Sequence, residues 1–257
     1  MAREGDLDIF SRCQQDLASG DLKTCHLGQS KNPKRTVALL GDSHAGAMAP
    51  LMDRLGKRLG WDVIASTKSS CPATSARRVL NSETNDQRQL ACESFNAEVD
   101  RQILDDPAIS DVFVTSFTSA YDWDNIPGSA LANPGPDGFQ MTWKRWTDAG
   151  KRVHVLRDVP ITGDRAIPNC VELAGSHPET CARARSAALP DDLAATAARA
   201  MGNPNVSVLD LTPQFCDATT CFGQIGNVIV YRDTSHISVE YAELLTPFVA
   251  TQLAGLP

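Results

Sequence analysis

Thr36-Val37-Ala38-Leu39-Leu40 is a continuous apolar run that stops at Gly41. A short uninterrupted run cut off by glycine predicts a strand buried on both faces. Directly after it, Met48, Leu51, Met52, Leu55 and Leu59 recur every three or four residues, which places them on one stripe of a helix from about Ala45 to Leu59. The alternation then repeats. A strand is predicted near Trp61 to Ala65, a helix carries Cys92, Phe95, Val99 and Ile103, and a strand covers Asp111 to Ser116. Further on come a helix near Phe139 to Ala149, a strand from Arg152 to Arg157, a helix from Asp191 to Met201 and a fifth strand from Val206 to Leu209. Asn227 to Tyr231 is one more extended run, and Val239 to Leu253 closes the chain as a helix. Strands alternating with helices predict an α/β fold, a central and mostly parallel five-stranded sheet with helices on both faces and ligands at the carboxyl ends of the strands. The Pro/Gly-containing stretches 121–138 and 161–190 read as loops on that scaffold, and no internal repeat is visible.

Composition narrows the function classes. The chain has 257 residues, enough for one large domain, and carries 24 basic against 31 acidic side chains, a net charge of -7. No sustained basic run is present to neutralise phosphates, so no nucleic-acid partner is expected. Nothing approaches the roughly 18 consecutive apolar residues of a membrane span, and the opening MAREGDLDIF is charged where an export signal is apolar, so the chain reads as soluble.

Eight cysteines sit uneasily with a leaderless chain. They fall into four local couples: Cys13 with Cys25, Cys71 with Cys92, Cys170 with Cys181, and Cys216 with Cys221. No couple is a C-x-x-C, and five scattered histidines do not complete a zinc set, so no metal is expected. Reduced core thiols are an alternative, but an even count in loop-like surroundings favours disulfides and hence an extracytoplasmic compartment. The expectation is a domain excised from a longer membrane protein, in which residues 1–35 form a disulfide-bearing extension packed on a catalytic domain spanning 36–257.

Two segments carry candidate chemistry. Gly41-Asp42-Ser43-His44 lies between the first strand and the first helix, where a sharp turn would project Ser43 above the sheet and leave backbone N–H groups near it for a developing negative oxygen. A serine N-cap after a glycine turn would give the same tetrad. Near the other end, Asp233 and His236 are three residues apart, a spacing that lets a carboxylate accept the imidazole Nδ1–H and free Nε2 to take a proton from serine. A helix cap beside a surface histidine is the plainer alternative. Tyr121 and Trp123 fit either a sugar platform or loop packing, and His154 within a strand reads as structural.

Together these segments resemble the SGNH hydrolases, also called the GDSL family. Gly41-Asp42-Ser43-His44-Ala45, Ser70-Cys71-Pro72, Arg157-Asp158-Val159-Pro160, Cys216 with Cys221, and Val230 to Ser238 resemble the SGNH domain fused to acyltransferase family 3 membrane proteins, which O-acetylate cell-surface glycans. The resemblance covers about Val37 to Leu253. It implies an SGNH/flavodoxin-like three-layer α/β/α sandwich, with Ser43 as nucleophile, His236 as base and Asp233 as its orienting acid. Asp42, His44 and Tyr231 are expected to line the site.

One departure stands out. General SGNH enzymes complete the oxyanion hole with a glycine and a Gly-x-Asn-Asp segment, whereas this chain reads Thr67-Lys68-Ser69-Ser70 and Thr115-Ser116-Phe117-Thr118-Ser119 at those places. The oxyanion candidates are therefore Ser43, Ser69, Ser70, Ser116 and Thr118. The expected function is transfer of an acyl group, chiefly acetyl, through a serine ester to a hydroxyl of an envelope glycan. No cofactor is expected, because no glycine-rich phosphate loop is visible; the partners implied are a membrane acyltransferase domain that supplies the acyl group and a glycan acceptor. A carbohydrate esterase using the same triad, or a non-catalytic glycan-binding module, are the competing readings.

Overall fold

The computed structural model describes residues 12–80 and 86–256, so the first eleven residues of the expected N-terminal extension lie outside the described residues. In chain order its strands are β1 (Gln14–Gln15), β2 (Cys25–Gly28), β3 (Arg35–Gly41), β4 (Trp61–Lys68), β5 (Arg77–Leu80), β6 (Ile109–Thr115), β7 (Tyr121–Asp124), β8 (Arg152–Leu156), β9 (Arg183–Ala184), β10 (Val206–Leu209), β11 (Thr220–Cys221), β12 (Gln224–Ile225) and β13 (Val228–Ile229). The five strands expected from the apolar runs form the parallel centre of the sheet, in the order β4-β3-β6-β8-β10. Two more strands widen it to seven: β1, parallel, and β2, antiparallel, both hydrogen-bond to the outer edge of β4.

Alternation along β3 builds both sides of the core. Val37 and Leu39 pack into one apolar cluster and Ala38 and Leu40 into the other, all at most 1 % exposed. The first cluster is closed by the helices Ser43–Ala47, Ala49–Leu59, Val239–Leu244 and Thr246–Ala254, and the second by Asp86–Asp105, Pro134–Asp148 and Leu193–Met201. The result is the three-layer α/β/α sandwich. Leu51, Met52 and Leu55 are fully buried, and truncating such a side chain to alanine costs about 2–5 kcal/mol.

Two predicted helices are each broken once. The helix expected over Ala45 to Leu59 ends at Ala47 and restarts at Ala49, with Met48 between. Pro50 has no N–H to donate to the carbonyl of Gly46, so the ladder cannot run through. The closing helix breaks at Leu245 for the same reason, since Pro247 cannot reach Glu243, whose carbonyl is met by the Thr246 hydroxyl at 2.8 Å.

The two predicted loops are not wholly irregular. In 121–138, β7 pairs antiparallel with β5, and in 161–190 lie the helices Ile167–Ala174 and Arg185–Ala188 together with β9, which pairs with β11. The run Asn227 to Tyr231 forms one arm of a hairpin, β13 against β12, and stays outside the central sheet. All four cysteine couples are bonded as disulfides: Cys13–Cys25, Cys71–Cys92, Cys170–Cys181 and Cys216–Cys221.

Candidate active site

The carboxyl ends of the parallel strands deliver the candidate residues to one edge of the sheet. Gly41 ends β3 with a φ of 138°, and a Cβ at that position would lie 2.0 Å from the Thr115 carbonyl oxygen on β6. Only glycine lets the two strand ends come this close before the chain turns. Asp42 then caps the helix Ser43–Ala47 by accepting the His44 N–H at 2.8 Å. Its other oxygen accepts the Phe117 N–H at 2.8 Å and the Tyr121 hydroxyl at 2.7 Å. Asp42 was expected to line the site but is fully buried beneath it, because these donors draw the carboxylate inward. Burial pushes its carboxyl up from the ordinary value against the opposing pull of His44 and Tyr121.

Ser43 Oγ lies 2.8 Å from His236 Nε2, and His236 Nδ1 lies 2.8 Å from Asp233 Oδ2. Asp233 and His236 are mounted on a single turn, in which Asp233 Oδ1 accepts the N–H groups of Ser235 and His236, each at 2.8 Å. Burial works to raise the Asp233 pKa, but the His236 ring and the two backbone donors outweigh it and hold the carboxyl far below its usual range. Asp233 therefore stays ionised and fixes Nδ1 as the donor. Nε2 is left as an acceptor facing a serine hydroxyl, an arrangement competent for general-base activation of Ser43.

His44, also expected at the site, is packed behind it. Its side chain is 2 % exposed, its Nδ1 lies 2.7 Å from Asp158 Oδ1, and its ring stacks on Phe117 with centroids 4.5 Å apart. The same ring is 5.0 Å from that of His236. Asp158 is anchored by its own N–H, which donates to Asp192 at 2.8 Å. Tyr231 is buried, its hydroxyl donating to the Pro160 carbonyl at 2.8 Å, and burial raises its pKa.

The oxyanion candidates separate by what already engages them. Ser69 donates its N–H to Gln15 O, and its hydroxyl accepts from Gln14. Ser116 donates its hydroxyl to Thr115 O. Thr118 spends its N–H on Ser116 O and its hydroxyl on Asp192, while accepting the Leu193 N–H. Ser70 differs: it occupies a turn closed by the Cys71 N–H to Lys68 O bond and has a φ of 50°, a left-handed conformation that glycine adopts without cost. Ser70 thus has a glycine-like backbone within Thr67–Ser70, the segment expected to stand where general SGNH enzymes carry the glycine.

A cavity of about 530 Å³ opens beside the Asp233 turn, lined among others by Thr162, Asp164, Arg165, Arg183, Phe222 and Tyr231. The 161–190 excursion is tied to that turn, the Ile167 N–H donating to Asp233 O at 3.4 Å and the Thr162 hydroxyl to Thr234 O. None of Ser43, Asp233 and His236 lines this cavity, and in the sequence the segment 161–190 read as loop. Tyr121 packs edge-on against Trp123, which meets Phe139, and His154 bridges Asp111 and Ser207 within the sheet.

In comparisons with known proteins, no curated protein matches the sequence. The structure is similar to the periplasmic domain of a Salmonella ser. Paratyphi A lipopolysaccharide acetyltransferase, with a TM-score of 0.63 over 96 % of this chain and 94 % of that one, at 14 % identity. At that identity the likeness establishes the fold. A family model described as the SGNH domain (fused to AT3 domains) matches residues 12–251, and over that span the chain belongs to this family.

Proposed function

We propose that this domain is a serine-dependent O-acyltransferase that passes an acetyl group to a hydroxyl of a cell-envelope glycan. The observation that carries the reading is the unbroken Ser43–His236–Asp233 chain of contacts, 2.8 Å at each step. In the first half-reaction Ser43 Oγ attacks the donor carbonyl as His236 Nε2 takes its proton, and the leaving group departs with that proton, leaving acetyl-Ser43. In the second half-reaction the glycan hydroxyl attacks the ester carbonyl. His236 takes the hydroxyl proton, the bond between the acyl carbon and Oγ breaks, and the proton returns to Oγ. Asp233 compensates the imidazolium in both. The N–H groups of Ser43 and Ser70 are the oxyanion donors in this reading, the second favoured by the left-handed turn at Ser70.

Two findings support the cellular setting. The four disulfides fit an oxidising compartment, and members of the family are fused to AT3 domains, which would supply the acyl group from the membrane. The lipopolysaccharide acetyltransferase with the same fold favours a glycan acceptor. The cavity beside the Asp233 turn offers that acceptor hydroxyl-binding and charged groups around Phe222. A fluorophosphonate probe tests the nucleophile: it should label the wild-type chain and not Ser43→Ala, and labelling at another residue would refute the assignment. Base-labile acetate on envelope glycan from cells carrying the membrane-fused protein tests transfer, and its persistence with Ser43→Ala would refute that half.

A further inference from the structure

The cavity beside the Asp233 turn holds two positive charges that the acyl-transfer scheme does not use. Arg165 and Arg183 both line it. Each guanidinium is fixed by a backbone carbonyl, Arg165 Nη1 donating to Thr180 O at 2.9 Å and Arg183 Nη1 to Ile161 O at 3.2 Å. Neither forms an ion pair with a carboxylate among the described residues, although Asp164 lines the same space. Arg77, Arg145, Arg152 and Arg157 are partly buried like Arg183, and each of them meets a carboxylate: Glu93, Asp100, Asp111 and Asp210. A guanidinium has five N–H donors in a planar fork, so most of the donors of Arg165 and Arg183 are left for a ligand or for water. The walls that carry them are pinned covalently. Arg183 lies on β9 opposite Cys221 of β11, Cys221 is bonded to Cys216, and Cys181, two residues before Arg183, is bonded to Cys170. A Cβ at Gly163 would lie 3.1 Å from Arg183 Nη1, so the guanidinium sits close over a backbone that has no side chain there.

We propose that this cavity is an anionic subsite, and that the glycan taken by this domain carries an acidic sugar whose oxyanion is held by Arg165 and Arg183 while its ring lies against Phe222. The proposal rests on the acyl-transfer reading for the identity of the ligand as acceptor glycan. The planar forks accept a carboxylate or a phosphate in the same bidentate way, so the shared chemistry is a sugar-borne oxyanion. Two guanidiniums held in place by backbone carbonyls and by disulfide-bonded walls lose little freedom when an anion arrives, and the half-buried Arg183 gains the charged partner that the protein does not give it. Phe222 offers an apolar face to the C–H side of a sugar ring, and Asp164 can accept sugar hydroxyl groups on the same rim. At about 530 Å³ the space lies within the range of small-ligand sites, roughly 300–1,000 Å³. The segment is tied to the turn of the base through the Ile167 N–H to Asp233 O bond, yet no triad residue lines the cavity. The acidic sugar is therefore a neighbour of the acetylated sugar along the glycan, and its charge selects and orients the chain that Ser43 serves.

The test is titration calorimetry of the purified chain with four probes: trigalacturonic acid, glucose 6-phosphate, neutral maltotriose and inorganic phosphate. At least one of the two acidic sugars should bind about tenfold or more tightly than maltotriose, and the better of them names the oxyanion. Arg165→Gln and Arg183→Gln should each weaken that binding by about tenfold, the loss of one charge-assisted hydrogen bond, and added sodium chloride should weaken it in the wild type. Arg165 is exposed, so its substitution leaves the fold intact, and thermal melting checks Arg183→Gln. Maltotriose binding as well as both acidic sugars, no binding by either acidic sugar, or acidic-sugar binding unchanged in the folded Arg165→Gln chain would overturn the proposal. Inorganic phosphate binding as tightly as the better acidic sugar would overturn it too, since the sugar ring would then add nothing. The acyl-serine reading fails by a different signal. Fluorophosphonate labelling that persists in Ser43→Ala would remove that assignment, whereas the calorimetry, which involves no turnover, would still report on the subsite.

Discussion

Asp233→Asn is the most informative single change to the site, because the structure says which way the amide will sit. Asp233 Oδ1 accepts two backbone N–H groups, while Oδ2 accepts one hydrogen bond, from the His236 ring, and has Arg232 Nε 3.7 Å away. Asparagine has one acceptor oxygen, and placing it on the two backbone donors keeps two bonds where the opposite orientation keeps one. The difference is about 1 kcal/mol, the net worth of one hydrogen bond, and it is increased by the clash of an NH2 group against two N–H donors. The amide NH2 therefore faces His236 Nδ1 and donates to it. The ring must then carry its proton on Nε2, and that N–H faces Ser43 Oγ with no lone pair to accept the serine proton. In serine triads the equivalent change costs about four orders of magnitude in kcat, or about 5.5 kcal/mol of barrier. Turnover of p-nitrophenyl acetate and the rate of fluorophosphonate labelling should both fall by roughly 10³ to 10⁴, with the melting temperature shifted by only a few degrees. Loss of less than about tenfold in a folded Asp233→Asn protein would show that His236 does not depend on this carboxylate for its tautomer.

Other outcomes follow from the geometry. Gly41→Ala forces a Cβ onto the Thr115 carbonyl and should cost about 3 kcal/mol or more, read by chemical denaturation. Cys71→Ala/Cys92→Ala opens a loop of sequence separation 21 and should lower stability by about 3 kcal/mol, measured the same way. Asp111 has a side chain only 2 % exposed and accepts from His154, Ser110 and Arg152, which bring its carboxyl down from 3.8 to about 2 against the effect of burial. This depressed value contributes stability above the unfolded pKa that is lost as pH falls through the folded one. Wild type should therefore lose about 2 kcal/mol between roughly pH 4 and pH 2 that Asp111→Asn does not lose, as read by acid titration of unfolding. In cells where this chain works with an AT3 domain, as proposed above, Phe222→Ala should reduce base-labile acetate on glycan more than it reduces fluorophosphonate labelling; equal loss of both would argue against an acceptor role for the cavity.

The parallel core was legible because its signal is local. Val37 to Leu40 is apolar at every position, as a strand covered on both faces must be, and the stripe from Met48 to Leu59 has the period of a helix with one buried side. The edge strands were not, since Gln14–Gln15 and Cys25–Gly28 have neither length nor alternation and exist because β4 offers them unpaired backbone groups. The helix breaks depended on one missing N–H at Pro50 and at Pro247, which a stripe of apolar residues hides. At the site, Asp233 and His236 could be coupled from their spacing because three residues bring them onto one turn. His44 and Asp158 could not, since 114 residues separate them and only the folded sheet brings the ends of β3 and β8 to one edge. Asp42 was misplaced because its family motif suggests chemistry, while its donors come from Phe117 and Tyr121, about 75 residues further on.

The contact between Ser43 and His236 spans 193 residues of sequence, about three quarters of the chain. In the proposed reading Ser43 is synthesised before its base, so a chain that stops between them has a serine of ordinary reactivity. Activation arrives only when the last segment docks, after the sheet between them is laid down. Serine reactivity is thereby a built-in report of complete folding. A chain threading across a membrane unfolded would pass activated acyl donors without capturing them, and a domain that frays at its carboxyl end would fall silent before it unfolds.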